Sequence, residues 1–275
     1  MTPLVTVVVP TRNVSRTLRA CLESVRAQDH PTLELVVVDN DSTDGTFEIA
    51  RELADIAVRG GPERSAQRNR GVELAGGEWI FWVDSDMVLC PSVVRLAVAA
   101  AQRTGAAAVS IPEVSIGPGF WTAVRALERS CYQDDPGLHN PRLVRRELLT
   151  GMGGFDAAMA GPEDADLRIR LRADRAVVSL AEDALIEHDE GRLTLRSVLA
   201  KRVYYGRSLP AFAAKNPGAL RAQGAGTARA LFRHRRRLLR RPGYAAAVLL
   251  LRGMEAAAYG VGYWQGRRAL RAAGS

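Results

Sequence analysis

The stretch Glu78-Trp79-Ile80-Phe81-Trp82-Val83-Asp84-Ser85-Asp86-Met87 is an apolar run of strand length that ends in two carboxylates one residue apart. In an open α/β sheet, ligands bind beyond the carboxyl ends of the strands, so acids leaving a buried strand there are placed for a ligand rather than for packing. Side chains two apart on an extended strand point the same way, which predicts that Asp84 and Asp86 approach one hard cation that also holds a diphosphate. Taken alone, Asp-Ser-Asp is equally a polar turn, since both residue types favour turns. The surrounding chain has to decide between them.

Upstream, two similar runs precede this one. Leu4 to Val9 is a nearly continuous β-branched run broken by Pro10-Thr11-Arg12-Asn13, after which Ser15 is placed to cap a helix with Leu18, Leu22 and Val25 on one side. Leu33 to Val38 repeats the pattern and ends in the polar loop Asp39 to Thr46, followed by a helix from Phe47 to Leu53. Strands alternating with helices, joined by right-handed crossovers, predict a doubly wound, mostly parallel α/β sheet, with Asp39 leaving its strand as Asp84 does. A brief strand near Ile56 to Val58 leads through Gly60-Gly61-Pro62 to a helix carrying Arg64, Arg68, Asn69 and Arg70. Arg64 and Arg68 share a helix face, which suits either one anion or a solvated basic surface.

Downstream, Ser92 opens a helix through Ala101 and Ala106 to Ile111 is a further buried strand. The pattern then weakens to about His139, across Gly117-Pro118-Gly119 and the acidic pair Asp134-Asp135, where a substrate-specific excursion is expected. Order resumes at Leu143 to Arg146, followed by Gly151-Met152-Gly153-Gly154-Phe155-Asp156 and by Gly161-Pro162-Glu163-Asp164-Ala165-Asp166 at the start of a helix through Ala173. The glycines permit close backbone approach to a ligand, and helix capping accounts for one of the three acids more readily than for all. Short strands at Val177 to Leu180 and Ala184 to Ile186 lead to the polar loop Glu187 to Gly191, where His188 is of interest only beside other metal ligands.

Thr194 to about Lys215 reads as one long helix. Arg229 to Arg241 then places seven arginines among Leu231, Phe232, Leu238 and Leu239. Tyr244 to Trp264 is an apolar run close to bilayer-spanning length, but Arg252 and Glu255 sit in its middle, which predicts a helix packed on the protein or lying in a membrane interface rather than one that spans.

Composition limits the classes. An apolar content of 47% with 25% charged residues excludes wholesale disorder. The net charge of +8, concentrated late in the chain and carried by arginine apart from Lys201 and Lys215, points to a localised anionic partner: nucleotide, anionic lipid or nucleic acid. Cys21, Cys90 and Cys131 lack Cys-x-x-Cys spacing, so neither a zinc site nor a disulfide framework is indicated, and a reducing cytoplasm fits. Leu4 to Val9, without a basic leader, reads as a strand and not as a signal peptide.

In order, Val-Val-Val-Pro-Thr-Arg-Asn, Val-Val-Val-Asp-Asn-Asp-Ser-Thr-Asp-Gly-Thr, Ala-Gln-Arg-Asn-Arg-Gly, Asp-Ser-Asp, Gly-Gly-Phe-Asp and Glu-Asp-Ala-Asp-Leu resemble family-2 glycosyltransferases of the GT-A fold, over about residues 4 to 190. The resemblance implies a catalytic domain over residues 1–192, with a donor half at 1–111 and an acceptor half at 112–192, and a helical C-terminal extension over 193–275. It implies a nucleotide-sugar donor, a UDP-sugar first and a GDP-sugar second, contacted by Pro10, Thr11, Arg12, Asp39, Arg64, Arg68, Asn69, Asp84 and Ser85. Asp84 and Asp86 match the Asp-x-Asp motif that holds a divalent metal, Mn2+ or Mg2+, and His188 resembles a late histidine that completes such a site. Asp164 matches the general base of inverting members, with Gly153, Gly154, Asp156 and Glu163 on the acceptor side.

The chemistry asks for such groups: a dication neutralises the leaving diphosphate, and a carboxylate takes the proton of the attacking hydroxyl. The chain lacks the Gln-x-x-Arg-Trp motif of processive synthases, so addition of one or few sugars to a glycan or lipid-linked acceptor is expected, while similar N-terminal halves also occur in retaining enzymes. The location expected is the cytoplasm, peripheral to the inner face of an anionic membrane. Two alternatives remain: a nucleotidyltransferase, whose Gly-rich basic signature is missing at Pro10 to Asn13, and a basic binder of membrane or nucleic acid built on Arg229 to Arg241. The apolar residues among those arginines favour an interfacial helix over nucleic acid.

Overall fold

In a computed structural model that describes residues 2–133 and 138–273, the apolar runs are strands whose side chains alternate between two cores. On β1 (Val5–Thr11), Val5, Val7 and Val9 enter one core and Val8 the other. On β4 (Trp79–Trp82), Trp79 and Phe81 join the first while Ile80 and Trp82 join the second. This two-sided burial is why these strands lack polar alternation. The acidic pair Asp134-Asp135 lies outside the described residues.

The chain forms two compact units. The first comprises Met1–Glu113, His139–Ala157 and Leu167–Asp189, the second Val114–Leu138, Ala158–Asp166 and Glu190–Ser275. The segments around residues 114–138 and 158–166 therefore cluster with the C-terminal helices.

The first unit contains a seven-stranded sheet. Besides β1 and β4 it is built from β2 (Leu33–Asp39), β3 (Ile56–Arg59), β6 (Ala108–Ser110), β8 (Pro141–Arg145) and β9 (Val178–Leu180), in the order β3-β2-β1-β4-β8-β6-β9. Pairing is parallel except on either side of β8, which runs antiparallel to β4 and β6. The register sets Thr11 opposite Asp39 and Val8 opposite Trp82, so β1, β2 and β4 end on the same side. On one face α1 (Ser15–Arg26) and α4 (Val93–Thr104) supply Leu18, Leu22, Val94 and Ala97 to the first core. On the other, α3 (Arg64–Leu74) packs Val72 beneath Val8, and a Cβ at Gly71 would overlap the Val8 side chain, so only glycine lets this helix lie on β1. The helix α2 (Thr46–Leu53) follows β2, and α6 (Arg146–Gly151) follows β8.

Caps differ from expectation. Ser15 does not cap α1 with its hydroxyl; instead the loop after β2 does so, with Ser42 Oγ, Thr46 Oγ1 and Asp44 accepting from the backbone N–H groups of Asn13, Val14 and Ser15. The short strand β5 (Met87–Leu89) pairs antiparallel with β10 (Ile186–Asp189), with His188 opposite Met87. His188 is thus a strand residue and not part of a polar loop. The chain passes from the first unit to the second within β7 (Glu113–Ile116), and α7 (Glu163–Ala173) also contributes residues to both.

The second unit is helical. Phe120–Ser130 forms α5 where only a weak pattern is legible, and the single helix expected from Thr194 to Lys215 is two, α8 (Leu195–Gly206) and α9 (Leu209–Lys215), with Pro210 in the first turn of the latter. The basic segment is divided between α10 (Ala219–Arg233) and α11 (Arg235–Leu239), and the apolar run lies within α12 (Pro242–Ala273).

Helix α12 meets α8 through glycine. A Cβ at Gly262 would overlap the Val203 carbonyl and one at Gly266 the Arg207 carbonyl, which are backbone obstacles that no rotamer relieves. Gly262→Ala is therefore expected to lower the unfolding free energy by about 1–3 kcal/mol in urea titration. An unchanged midpoint would mean that the two helices do not hold this contact.

Candidate active site

The exit of β4 is a tight turn, not a continuation of the strand. Met87 N–H donates to the Asp84 carbonyl at 2.9 Å, closing Asp84-Ser85-Asp86 on itself. The alternation expected of an extended chain therefore does not apply, and the two carboxylates have different surroundings.

Asp84 faces arginines. Its Oδ1 lies 2.7 Å from Arg68 Nη2 and 3.9 Å from Arg64 Nη1, and its Oδ2 lies 3.5 Å from Arg142 Nη1. Arg68 has no exposed surface and sits over the rings of Phe155 and Trp82, at 5.1 and 6.0 Å from their centroids. Burial alone would push the Asp84 carboxyl up, but Arg68, Arg142 and Arg64 outweigh it and hold it well below the usual carboxylate range.

Asp86 faces His188. Its Oδ2 lies 3.1 Å from His188 Nε2, and about a third of its side chain is open to solvent. Behind His188, Glu113 Oε2 lies 4.0 Å from Nδ1, while Glu113 Oε1 takes both Nε and Nη2 of Arg142, at 2.8 and 2.6 Å. Arg142 thus ties Asp84 to Glu113. Neither Glu113 nor Arg142 is evident from motif reading, yet a signal exists: Arg142 interrupts an apolar strand, and a buried guanidinium requires a carboxylate partner.

The remaining expected donor residues divide into buried and exposed sets. Pro10 and Ser85 are buried, Arg12 is exposed, and Arg64 is half-buried. Thr11 Oγ1 donates to Asp39 Oδ1 at 2.7 Å, and the fully buried Asp39 also accepts from Ser42 Oγ and Ser42 N–H, locking the exits of β1 and β2 together. Gln67 of α3 adds to this by donating to the carbonyls of Thr11 and Val38. Asn69 clamps a loop: its Nδ2 donates to the Phe155 carbonyl and its Oδ1 accepts from Phe155 N–H, at 2.8 and 2.7 Å. A Cβ at Gly154 would overlap that Oδ1, and Gly153 and Gly154 both have positive φ, so the paired glycines form the turn that Asn69 and Arg170 hold. Asp156 follows it, half-buried.

In the second unit the three acids at the start of α7 also have distinct surroundings. Glu163, 1% exposed, accepts from Gly161 N–H at 2.5 Å, and Asp166, fully buried, accepts from Lys215 Nζ and Asn216 Nδ2 at 3.1 and 3.0 Å. Asp164 is the half-buried acid of the three, in the first helical turn.

A divalent metal fits the donor set at Asp86. One carboxylate oxygen and one imidazole nitrogen converge there, and among the described residues no three His, Cys, Asp or Glu side chains converge as a metal cage. A cation held by one or two side chains and completed by substrate phosphates and water takes this form.

The sequence pattern of glycosyl transferase family 2 matches residues 6–159. The chain belongs to this family. It is 28% identical over 187 residues to the PGL/p-HBAD biosynthesis glycosyltransferase of Mycobacterium bovis, a match covering 64% of this chain and 73% of that protein. Against the uncharacterized glycosyltransferase YibD of Escherichia coli it is 31% identical over 93 residues, 32% of this chain and 27% of that one.

Among solved structures, the mannosyltransferase PcManGT from Pyrobaculum calidifontis, in complex with GDP-Man and Mn2+, shares 21% identity at a TM-score of 0.66, over 96% of this chain and 88% of that one. Staphylococcus aureus TarS 1-349 in complex with UDP shares 18% at a TM-score of 0.56, over 97% and 92%. These likenesses place the family-2 chain in the GT-A fold, and the protein is a glycosyltransferase.

Proposed function

We propose that this glycosyltransferase moves a sugar from a nucleoside-diphosphate sugar to an acceptor hydroxyl, with a divalent metal, inversion at the anomeric carbon and release after one or few additions. The observation that carries the reading is the turn after β4, which presents Asp86 beside His188 at 3.1 Å and anchors Asp84 on arginines. The complexes of related folds with GDP-Man and Mn2+ and with UDP support a nucleotide-sugar donor, and we place a UDP-sugar ahead of a GDP-sugar.

Asp86 and His188 would hold the metal, which when bound neutralises charge developing on the leaving diphosphate. Arg64, the half-exposed guanidinium of the cluster, is the one able to reach donor phosphate while Arg68 stays stacked in place. Asp164 takes the acceptor proton: it is the half-buried acid in the first turn of α7, reached by solvent, whereas Glu163 and Asp166 are buried. Attack assisted by one base, with no protein nucleophile, inverts the anomeric centre. The acceptor is a glycan or a lipid-linked glycan, and the three free thiols suit a cytoplasmic enzyme.

Calorimetry with UDP and GDP, in Mn2+ and in chelator, tests the donor side: the preferred nucleotide should bind about tenfold or more tightly with metal. Identical titrations with and without chelator would sink metal-assisted binding. Incubation with a nucleotide sugar and acceptor should release nucleoside diphosphate and give a product of inverted anomeric configuration by NMR. Release of pyrophosphate from a nucleoside triphosphate and a sugar 1-phosphate, with no nucleoside diphosphate released from the nucleotide sugar, would instead identify a nucleotidyltransferase.

A further inference from the structure

Charge changes sharply along the chain. Residues 191–275 contain eighteen Lys and Arg against one acid, Glu255, a net charge of +17, and residues 1–190, with twenty basic and twenty-nine acidic side chains, carry −9, which together make the +8 of the whole. The single acid is not at the surface. Glu255 is 1% exposed and is held within the second unit by Arg125 at 2.5 Å, Arg202 at 2.7 Å and Arg252 at 3.3 Å, and Arg252 turns further to Glu128 and Tyr132.

That network fixes which way α12 faces. Val248, Leu251, Glu255 and Gly262 point inward, and from Gly243 to Gln265 the two charged residues, Arg252 and Glu255, are both used there. The opposite side exposes Leu249, Leu250, Ala257, Val261 and Trp264 at helical spacing, with Leu249 65% and Trp264 58% exposed. From Ala246 to Trp264 this side is uncharged over about 27 Å. Exposed arginines bracket it: Arg240 and Arg241 before, Arg267, Arg268 and Arg271 after, with the Arg268 guanidinium 4.4 Å from the centre of the Trp264 ring.

We propose that this side of α12 lies in the plane of an anionic lipid bilayer, its apolar stripe at the acyl boundary and its flanking arginines among the headgroups. An uncharged stripe with cations and a tryptophan at its ends matches the profile of such an interface. The length and hydropathy of α12 also meet the requirement for crossing a bilayer, but its inner side is fastened to charged side chains of α5 and α8, which would have to enter the hydrocarbon with it. A second copy of the chain is a poor occupant, because both ends of the stripe are cationic and either helix orientation would set like charges together. Nucleic acid needs cations along the contact itself, where this stripe has none. The inference goes beyond the transferase reading and does not depend on it.

Vesicle flotation of the full chain tests it. The protein should float with phosphatidylcholine vesicles containing phosphatidylglycerol and not with phosphatidylcholine alone, and high salt should weaken binding about tenfold or more. The triple variant Leu249→Gln, Leu250→Gln, Val261→Gln should keep its melting temperature and nucleotide binding but lose flotation about tenfold. Arg267→Gln with Arg268→Gln should weaken it by about fivefold per arginine removed. Absence of flotation with either vesicle, flotation independent of phosphatidylglycerol, or a triple variant that floats like the wild type would overturn the proposal. So would a dimer in sedimentation that the triple variant dissolves, or duplex DNA binding tighter than vesicle binding.

Discussion

Asp164→Asn is expected to lower turnover by roughly two to four orders of magnitude while leaving nucleotide affinity within about twofold. Asparagine keeps the size and the place in the first turn of α7 but cannot accept the acceptor's proton. The neighbouring acids supply the controls. Glu163 is buried on the Gly161 N–H and Asp166 on Lys215 and Asn216, so Glu163→Gln and Asp166→Asn should act mainly on stability, moving the melting temperature rather than the chemical step. Initial rates at saturating donor and acceptor, read beside calorimetry and thermal melts, separate these outcomes. Near-normal turnover of Asp164→Asn would remove it from the role of base, and a loss of rate in Glu163→Gln at unchanged stability would transfer the role there.

The strands were legible because burial on both faces leaves an unmistakable apolar run: β1 and β2 follow Leu4 to Val9 and Leu33 to Val38 closely, and β4 occupies the apolar first half of Glu78 to Met87. Helix α5 was not. Two of its inward residues, Arg125 and Glu128, are charged, and their partners Glu255 and Arg252 lie about 125 residues later, so its amphipathic period is disguised by a contact no local window contains. The division between α8 and α9 did have a local mark in Pro210, which lacks the N–H a continuous helix needs. At the site, motif order pointed to Asp84, Asp86 and Asp164, whereas the assignment of the two aspartates of Asp-Ser-Asp to different partners depends on a turn hydrogen bond and on Arg142, brought in from β8.

That division of partners makes opposite predictions for Asp84 and Asp86. Asp86→Ala removes the one-third-exposed carboxylate beside His188, so the fold should melt as before while metal-dependent tightening of nucleotide binding disappears and turnover falls by about two orders of magnitude or more. Asp84→Asn instead takes the carboxylate away from the fully buried Arg68, 2.7 Å distant, and from Arg142, which should cost about 3 kcal/mol of stability. The pH dependence carries the same mark. A carboxyl held below its unfolded value contributes in full above about pH 4 and loses that contribution as pH falls through its depressed folded value. The wild type should accordingly lose stability on acidification below about pH 4 more steeply than Asp84→Asn, while Asp86→Ala keeps the wild-type slope. Urea titrations across pH, paired with nucleotide calorimetry in Mn2+ and in chelator, measure both. Equal destabilisation by the two substitutions, or loss of metal dependence in both with unchanged stability, would restore a shared cation clamp and refute the separation of roles.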